Sequence, residues 1–157
     1  MVDYKIRAAT AADGEAMMAL MPRLSAFEIP ESRTPEHLWL DDAELLREWI
    51  GGDADDCFVH VAEDDGGAIL GLTLVRLRPE LLSHEPSAHL EAIAVAKGAE
   101  GKGIGQALLG AAEENAHKQG ARTMTLHVFA TNTRARRFYE RSGYDGEVIR
   151  YIKPIAD

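Results

Sequence analysis

Apolar and polar positions alternate over Tyr4-Lys5-Ile6-Arg7-Ala8, the two-residue period of a half-buried strand. Thr10-x-x-Asp13 then reads as a capping box that starts a helix running to about Leu20, stopped by Pro22. Residues 23–34 carry no period. Thr34-Pro35 reads as N-cap and first helical position of a second helix, Glu36 to Ile50, with Leu38, Leu45, Leu46, Trp49 and Ile50 as its apolar positions. Cys57–Glu63 and Ala68–Arg78 are predicted strands joined by the hairpin turn Asp64-Asp65-Gly66-Gly67. There follow a strand over 88–95, a helix over 104–119 ending at Gly120, a strand over Thr123–Val128, a helix over 132–142 and a last strand near 144–152. The predicted order β-α-α-β-β-β-α-β-α-β describes a mixed α/β fold with a largely antiparallel sheet flanked by helices.

Composition narrows this to one small domain, 1–157: the chain has 157 residues, of which 46% are apolar, enough for one core. No stretch of about 18 apolar residues is present, and Met1-Val2-Asp3-Tyr4-Lys5 lacks the apolar run of a signal peptide. The single Cys57 has no internal disulfide partner and sits in an apolar strand, so a cytoplasmic protein with a core cysteine is expected. The six histidines have no metal-ligand spacing, and no metal is expected. Residues 1–96 hold 19 acids and 7 bases, whereas residues 97–157 hold 7 acids and 10 bases, so the net charge of −9 divides into −12 and +3. No basic stripe interleaved with aromatics is present, which argues against a nucleic-acid partner.

The basic half contains Glu100-Gly101-Lys102-Gly103-Ile104-Gly105, set between an apolar strand and a helix. Glycines let the backbone curl so that several N–H groups converge, and the helix adds its N-terminal donors and the positive end of its dipole. An anionic ligand such as a pyrophosphate is the expectation. A P-loop counted from Gly98 reaches Gly103 but continues with Ile104, not Lys. A dinucleotide fingerprint fails as well, with Gln106 or Leu108 where its third glycine belongs. The loop does resemble the acyl-CoA loop [QR]-x-x-G-x-[GA] of the GNAT superfamily of N-acetyltransferases, here Glu100-x-x-Gly103-x-Gly105, with Glu100 departing from the usual Arg or Gln. Asn132-x-x-Ala135-x-x-Phe138-Tyr139-x-x-x-Gly143-Tyr144 resembles a second segment of that family at every marked position. In it Asn132 can cap a helix, Gly143 can end it, and Ala135, Phe138 and Tyr139 share a face. The predicted element order is also that family's.

The resemblance implies an N-acetyltransferase that uses acetyl-CoA as co-substrate and acts on a primary amine. In that reading the main chain of Ile93, Ala94 and Val95 pairs with pantetheine as an added strand. Glu100, Gly101, Lys102, Gly103, Ile104, Gly105 and Gln106 hold the diphosphate, and Asn132 and Ala135 border the CoA arm. Tyr139 stands near the CoA sulfur as general acid, protonated at neutral pH because a phenol titrates near pH ~10. The chemistry also needs a base, since an ammonium has no lone pair. His89 and Glu91 lie two apart on one strand and so share a face. The strand 88–95 is similar to that of arylalkylamine N-acetyltransferases, which carry histidines at both positions. Glu91 is preferred as base or water-holder, with His89 its rival and a structural hydrogen bond between them the plain alternative. His127 could reach the same cleft.

Phe27, Glu28 and Trp39 are the candidate acceptor-binding residues, on the segment between the first and second strands that varies in the family. The acidic density of residues 31–65 favours a cationic acceptor of the polyamine, aminoglycoside or lysine kind, a small-molecule amine. A protein N-terminal or lysine acetyltransferase and a non-catalytic CoA-binding module are the alternatives. The long third strand and the 79–87 loop, with Pro79 and Pro86, either close over the acceptor or build a homodimer contact. No membrane partner is expected.

Overall fold

The computed structural model describes residues 3–157; Met1 and Val2, which open the segment read as lacking a signal peptide, lie outside the described residues. Five strands, β1 (Tyr4–Ala8), β2 (Cys57–Asp64), β3 (Ile69–Pro79), β4 (Pro86–Val95) and β5 (Thr123–Leu126), form one sheet in the order β1-β2-β3-β4-β5. The first three pairings are antiparallel and β4–β5 is parallel. The β2–β3 hairpin turns where the sequence places it: Asp64 Oδ1 accepts from the Gly66 and Ala68 amides at 3.0 and 2.8 Å. A carboxylate that satisfies the turn's own amides is the usual reason for aspartate there.

Helices α1 (Gly14–Leu20) and α2 (Leu40–Ile50) cover one face of the sheet. Met17, Met21 and Leu46 pack there against Val59, Val61, Leu72 and Leu74. Helix α3 (Ile104–Lys118) covers the other face, where Leu109 and Ala112 meet Val75, Ala88 and Leu90, and Ile104 and Leu108 meet Ala62. Helix α4 (Thr133–Arg141) lies at the β5 end of that same face, with Phe138 and Tyr139 half-buried against it. The α3 contact is close. A Cβ on Gly71 would stand 2.9 Å from the Ala94 carbonyl and 3.0 Å from Leu108 Cδ1, so a side chain there would push the helix off the sheet. Truncating the fully buried Leu108 to alanine would cost about 2–5 kcal/mol.

Several local expectations meet physical detail that alternation cannot supply. The Thr10–Asp13 capping box is present, but its first turn is 3-10, and Asp13 is also clasped by Arg7 through two bonds of 2.8 Å. That guanidinium holds the Asp13 carboxyl down at about 2 and ties β1 to α1. The region read as one helix over 36–50 is a 3-10 turn, Pro35–Leu38, followed by α2, because Trp39 leaves the helical region at φ −138°. The predicted strand over 144–152 is absent: residues 145–157 have no regular structure and every one is exposed. Its strand-like composition pairs with nothing among the described residues. No helix among the described residues is long and apolar enough to cross a membrane.

Candidate active site

β4 and β5 pair from Ser87–Thr123 to Leu90–Leu126, after which β5 ends while β4 continues to Val95. Beyond Leu90 the edge of β4 that faces away from β3 is therefore open. The Val95 carbonyl on that edge accepts a side-chain bond, from Arg23 Nε at 3.2 Å. Opposite the opening, β4 pairs with β3 with one residue to spare: Val75 matches Leu90 and Leu74 matches Ala92, which leaves Glu91 as the extra residue of a β-bulge. Bulges re-aim a side chain. This one sets Glu91 on the α2 side of the sheet, close enough to Asp42 of α2 for the two carboxylates to repel each other.

Around Glu91 the sheet and α2 assemble a small polar cluster. Arg78 Nη1 lies 4.0 Å from Glu91 Oε1, whose side chain is 17% exposed. His89 is buried, its Nδ1 sits 2.7 Å from Thr125 Oγ1, and its ring centroid is 4.8 Å from that of the exposed His127. Burial first, then Arg78 and His127, push the His89 imidazole down to about 4, so it is neutral at physiological pH. Asp42 moves the other way. Burial, then Glu91 and Asp41, push its carboxyl up to about 7. A carboxyl with its pKa near neutrality can both take up and release a proton at pH 7.

On the α3 side stands Tyr139, packed with Phe138 at a ring distance of 5.3 Å and with Tyr144 at 6.0 Å. Asn132 Oδ1 accepts from the Ala135 amide at 3.3 Å, the expected cap, and Gly143 leaves the helix at φ +95°. Burial raises the Tyr139 phenol to about 12. Tyr144 donates to Glu113 at 2.8 Å, whereas among the described residues the Tyr139 hydroxyl makes no such bond. It is a protonated donor held without a partner.

The glycine loop closes one end of the opening. After a single 3-10 turn, Lys97–Ala99, both Gly101 and Gly103 take left-handed φ values, +76° and +79°, which L residues with a Cβ adopt at a cost. Gly103 is the N-cap of α3, and Gly105 lies with Phe138 Cζ 3.7 Å from where its Cβ would be. α4 thus packs directly over the loop. Lys102 donates to the Gly98 carbonyl at 3.3 Å. Glu100 is bracketed by two guanidiniums: Arg23 Nη2 bonds Oε1, and Arg134 Nη1 of α4 bonds Oε2 at 3.1 Å.

The acceptor-side candidates fall on both sides of the expectation. The Phe27 ring is 5.7 Å from that of Phe129, just beyond β5, so this segment does reach the opening. Glu28 is exposed. Trp39 packs against the core beneath α1 and α2. Cys57 is buried and its thiol is pushed up to about 12, as suits a core filler.

The sequence profile of the acetyltransferase (GNAT) family matches residues 20–144. The chain belongs to that family. Mycothiol acetyltransferase of Propionibacterium freudenreichii subsp. shermanii is 29% identical over 68% of the chain, and that of Pseudarthrobacter chlorophenolicus 32% identical over 65%. The aligned regions cover 29% and 30% of those relatives, so the chain spans about a third of their length. Among solved structures, a Pyrococcus furiosus protein assigned as an acetyl transferase superposes with a TM-score of 0.78, at 28% identity, covering 98% of this chain and 100% of that one. An aminoglycoside N-acetyltransferase in complex with CoA superposes at 0.73, 19% identity, covering 99% and 97%, a likeness of fold. The five-stranded mixed sheet flanked by helices is thus the GNAT fold, that of the acyl-CoA-dependent N-acetyltransferases.

Four residues that border the opening escaped sequence reasoning: Asp42, Arg23, Arg134 and Thr125. Asp42 sits in an acidic first helical turn that the helix dipole alone would justify. Arg134 lies within the Asn132 segment, and the signal for it was Glu100 itself, since a carboxylate in a glycine loop calls for a counter-charge.

Proposed function

We propose that the chain transfers the acetyl group of acetyl-CoA to a primary amine, and that the amine is a small cationic molecule. One observation carries this reading. β4 and β5 part after Leu90 and Leu126, with Glu91 and Asp42 on one side of the opening, Tyr139 on the other and the left-handed glycine loop at its end. The main chain of Ile93, Ala94 and Val95 offers the edge on which pantetheine would lie, with Arg23 Nε on the Val95 carbonyl at its end. The amides of Gly101 to Gly105, with the N-terminus of α3, would take the diphosphate, and Asn132 and Ala135 border the arm.

The chemistry follows from the two sides. Glu91, with Asp42 beside it, accepts the proton that the ammonium must lose before its nitrogen can attack the acetyl carbon. As the carbon–sulfur bond breaks, Tyr139 gives its phenolic proton to the departing thiolate. His89, neutral and bonded to Thr125, positions the end of β4 and is not the base in this scheme. The Asp42–Glu91 pair also favours a positively charged acceptor, because an entering cation relieves the repulsion between them.

Calorimetric titration with CoA tests the shared premise, and thiol release across a panel of polyamines, aminoglycosides, neutral amines and peptides tests the rest. Failure to bind CoA ends the proposal. Binding without turnover on any amine points to a CoA-binding module, and a preference for peptides points to a protein acetyltransferase.

A further inference from the structure

Arg23 reaches into the opening from a fixed base. It stands in the 3-10 turn Met21–Ser25, whose first residue, Met21, is fully buried in the core beneath α1 and α2. The Ala26 amide closes the turn on the Arg23 carbonyl at 3.1 Å. From there the side chain, 26% exposed, meets two acceptors far along the chain. Its Nε donates to the Val95 carbonyl at 3.2 Å, and its Nη2 bonds Glu100 Oε1. Nε and Nη2 lie along one edge of a rigid, planar guanidinium, so the two bonds form or break together.

The ladder decides which groups of β4 face the opening. The Ala96 amide donates to the Leu70 carbonyl at 2.8 Å, so the main-chain groups of Ala96 point to β3, and by the two-residue period those of Ala94 do too. Those of Ile93 and Val95 point the other way, into the opening. An added strand lies about 4.8 Å from its neighbour, and a nitrogen 3.2 Å from the Val95 oxygen stands inside that space. Arg23 therefore holds an acceptor on the edge that a pantetheine arm would use.

We propose that Arg23 makes the opening selective for acyl donors that carry a diphosphate, by holding the Val95 carbonyl until an anion on the glycine loop draws its guanidinium away. The inference rests on the acetyl-CoA reading and adds one residue's role to it. Arg23 Nη2 is already at the loop, against Glu100, so a diphosphate on the amides of 101–105 arrives beside it. Phosphate oxygens repel the Glu100 carboxylate and offer the guanidinium acceptors that match its fork. Because both bonds share one edge, turning toward phosphate also vacates Val95. A donor without the diphosphate brings nothing to recruit Arg23 and has to displace it unaided. Arg134 differs: it bonds Glu100 at 3.1 Å but makes no bond to β4 among the described residues, so it cannot link the two ends of the donor. Arg23 is a specificity-determining residue in this account and touches no reacting atom.

Titrations of CoA and of pantetheine, which lacks the phosphates, against the unaltered chain and Arg23→Met test it. Methionine keeps an unbranched stem and removes every donor. Pantetheine should tighten by about threefold to tenfold, the size of one hydrogen bond no longer in competition. CoA should weaken by about tenfold for the lost charge-assisted pair. The opposite signs are the signature, since a packing defect would weaken both ligands alike. Arg23→Lys keeps the charge but cannot span Val95 and Glu100 with one planar edge; it should tighten pantetheine and leave CoA within about threefold. That variant also decides the matter if the methionine form does not fold. Shifts of the same sign for both ligands, or an unmoved pantetheine affinity, overturn the proposal, as does a CoA complex in which Arg23 keeps both bonds. An unaltered chain that binds no CoA is a separate outcome: it ends the acetyl-CoA reading and this inference with it.

Discussion

Glu100, the carboxylate in the glycine loop, accepts a hydrogen bond from Arg134 of α4 at 3.1 Å, while Arg23 holds its other oxygen. The departure from the usual Arg or Gln at this position is therefore compensated in space: two guanidiniums accompany one carboxylate, and the loop keeps a positive balance. The same bridge fastens α4 and the segment after α1 to the loop. Glu100→Gln should release both guanidiniums toward a bound diphosphate and tighten CoA by roughly threefold to tenfold at low salt. Arg134→Ala should weaken it by about tenfold. Calorimetry on the two variants decides the matter, and unchanged affinity in both would remove Arg134 from the cofactor's surroundings.

The sheet, its hairpin and the loop were legible because their signals are local. Alternation marks strands, Asp64-Asp65-Gly66-Gly67 marks a turn, and Asn132 with Gly143 brackets a helix. What the sequence hid depends on contacts between distant segments. The bulge at Glu91 arises from the register between β3 and β4, which no single strand specifies. Asp42 acquires its character from burial under the fold and then from Glu91, on a strand beyond two others in the chain. The absent last strand shows the same limit from the other direction, since Val148 to Ile152 have strand composition and pair with nothing among the described residues.

The identity of the base can be read from the pH dependence of kcat/KM. With the Asp42 carboxyl raised to about 7, the carboxylate pair gains its full negative charge only as pH climbs through neutrality, so activity should rise through about pH 7 and then level. Asp42→Asn should remove this limb, because the carboxyl that titrates through neutrality is then absent. His89, held down at about 4, would place the limb there if it were the base. A profile already flat above pH 5 in the unaltered enzyme would transfer the role to His89.

The same carboxyl makes a prediction about stability. Its folded pKa lies above the ordinary 3.8, so between about 4 and 7 the folded state binds the extra proton, and stability falls as pH rises through that window. Above pH 7 the full cost of an ionised, partly buried carboxylate is present. Asp42→Asn should therefore stabilise the fold at pH 8 by about 1–2 kcal/mol once solvent screening is allowed for, and leave it nearly unchanged at pH 4. Urea titrations at the two pH values check this. An equal effect at both would show that packing, not charge, sets the difference.

Tyr139 offers the sharpest separation of chemistry from binding. Its phenol is raised to about 12 by burial, so it is protonated across the physiological range. Tyr139→Phe keeps the ring that packs against Phe138 and Tyr144 and removes only the donor. The expected outcome is a fall in kcat of about 100-fold, the lower end of what a positioned general acid supplies, with the dissociation constant for CoA unchanged. A stronger leaving group should need the proton less, so an acyl donor whose thiol is more acidic than CoA should recover part of the lost rate in the variant. Undiminished turnover, or a loss carried wholly by weaker CoA binding, would assign Tyr139 to packing and leave the thiolate to be protonated by water.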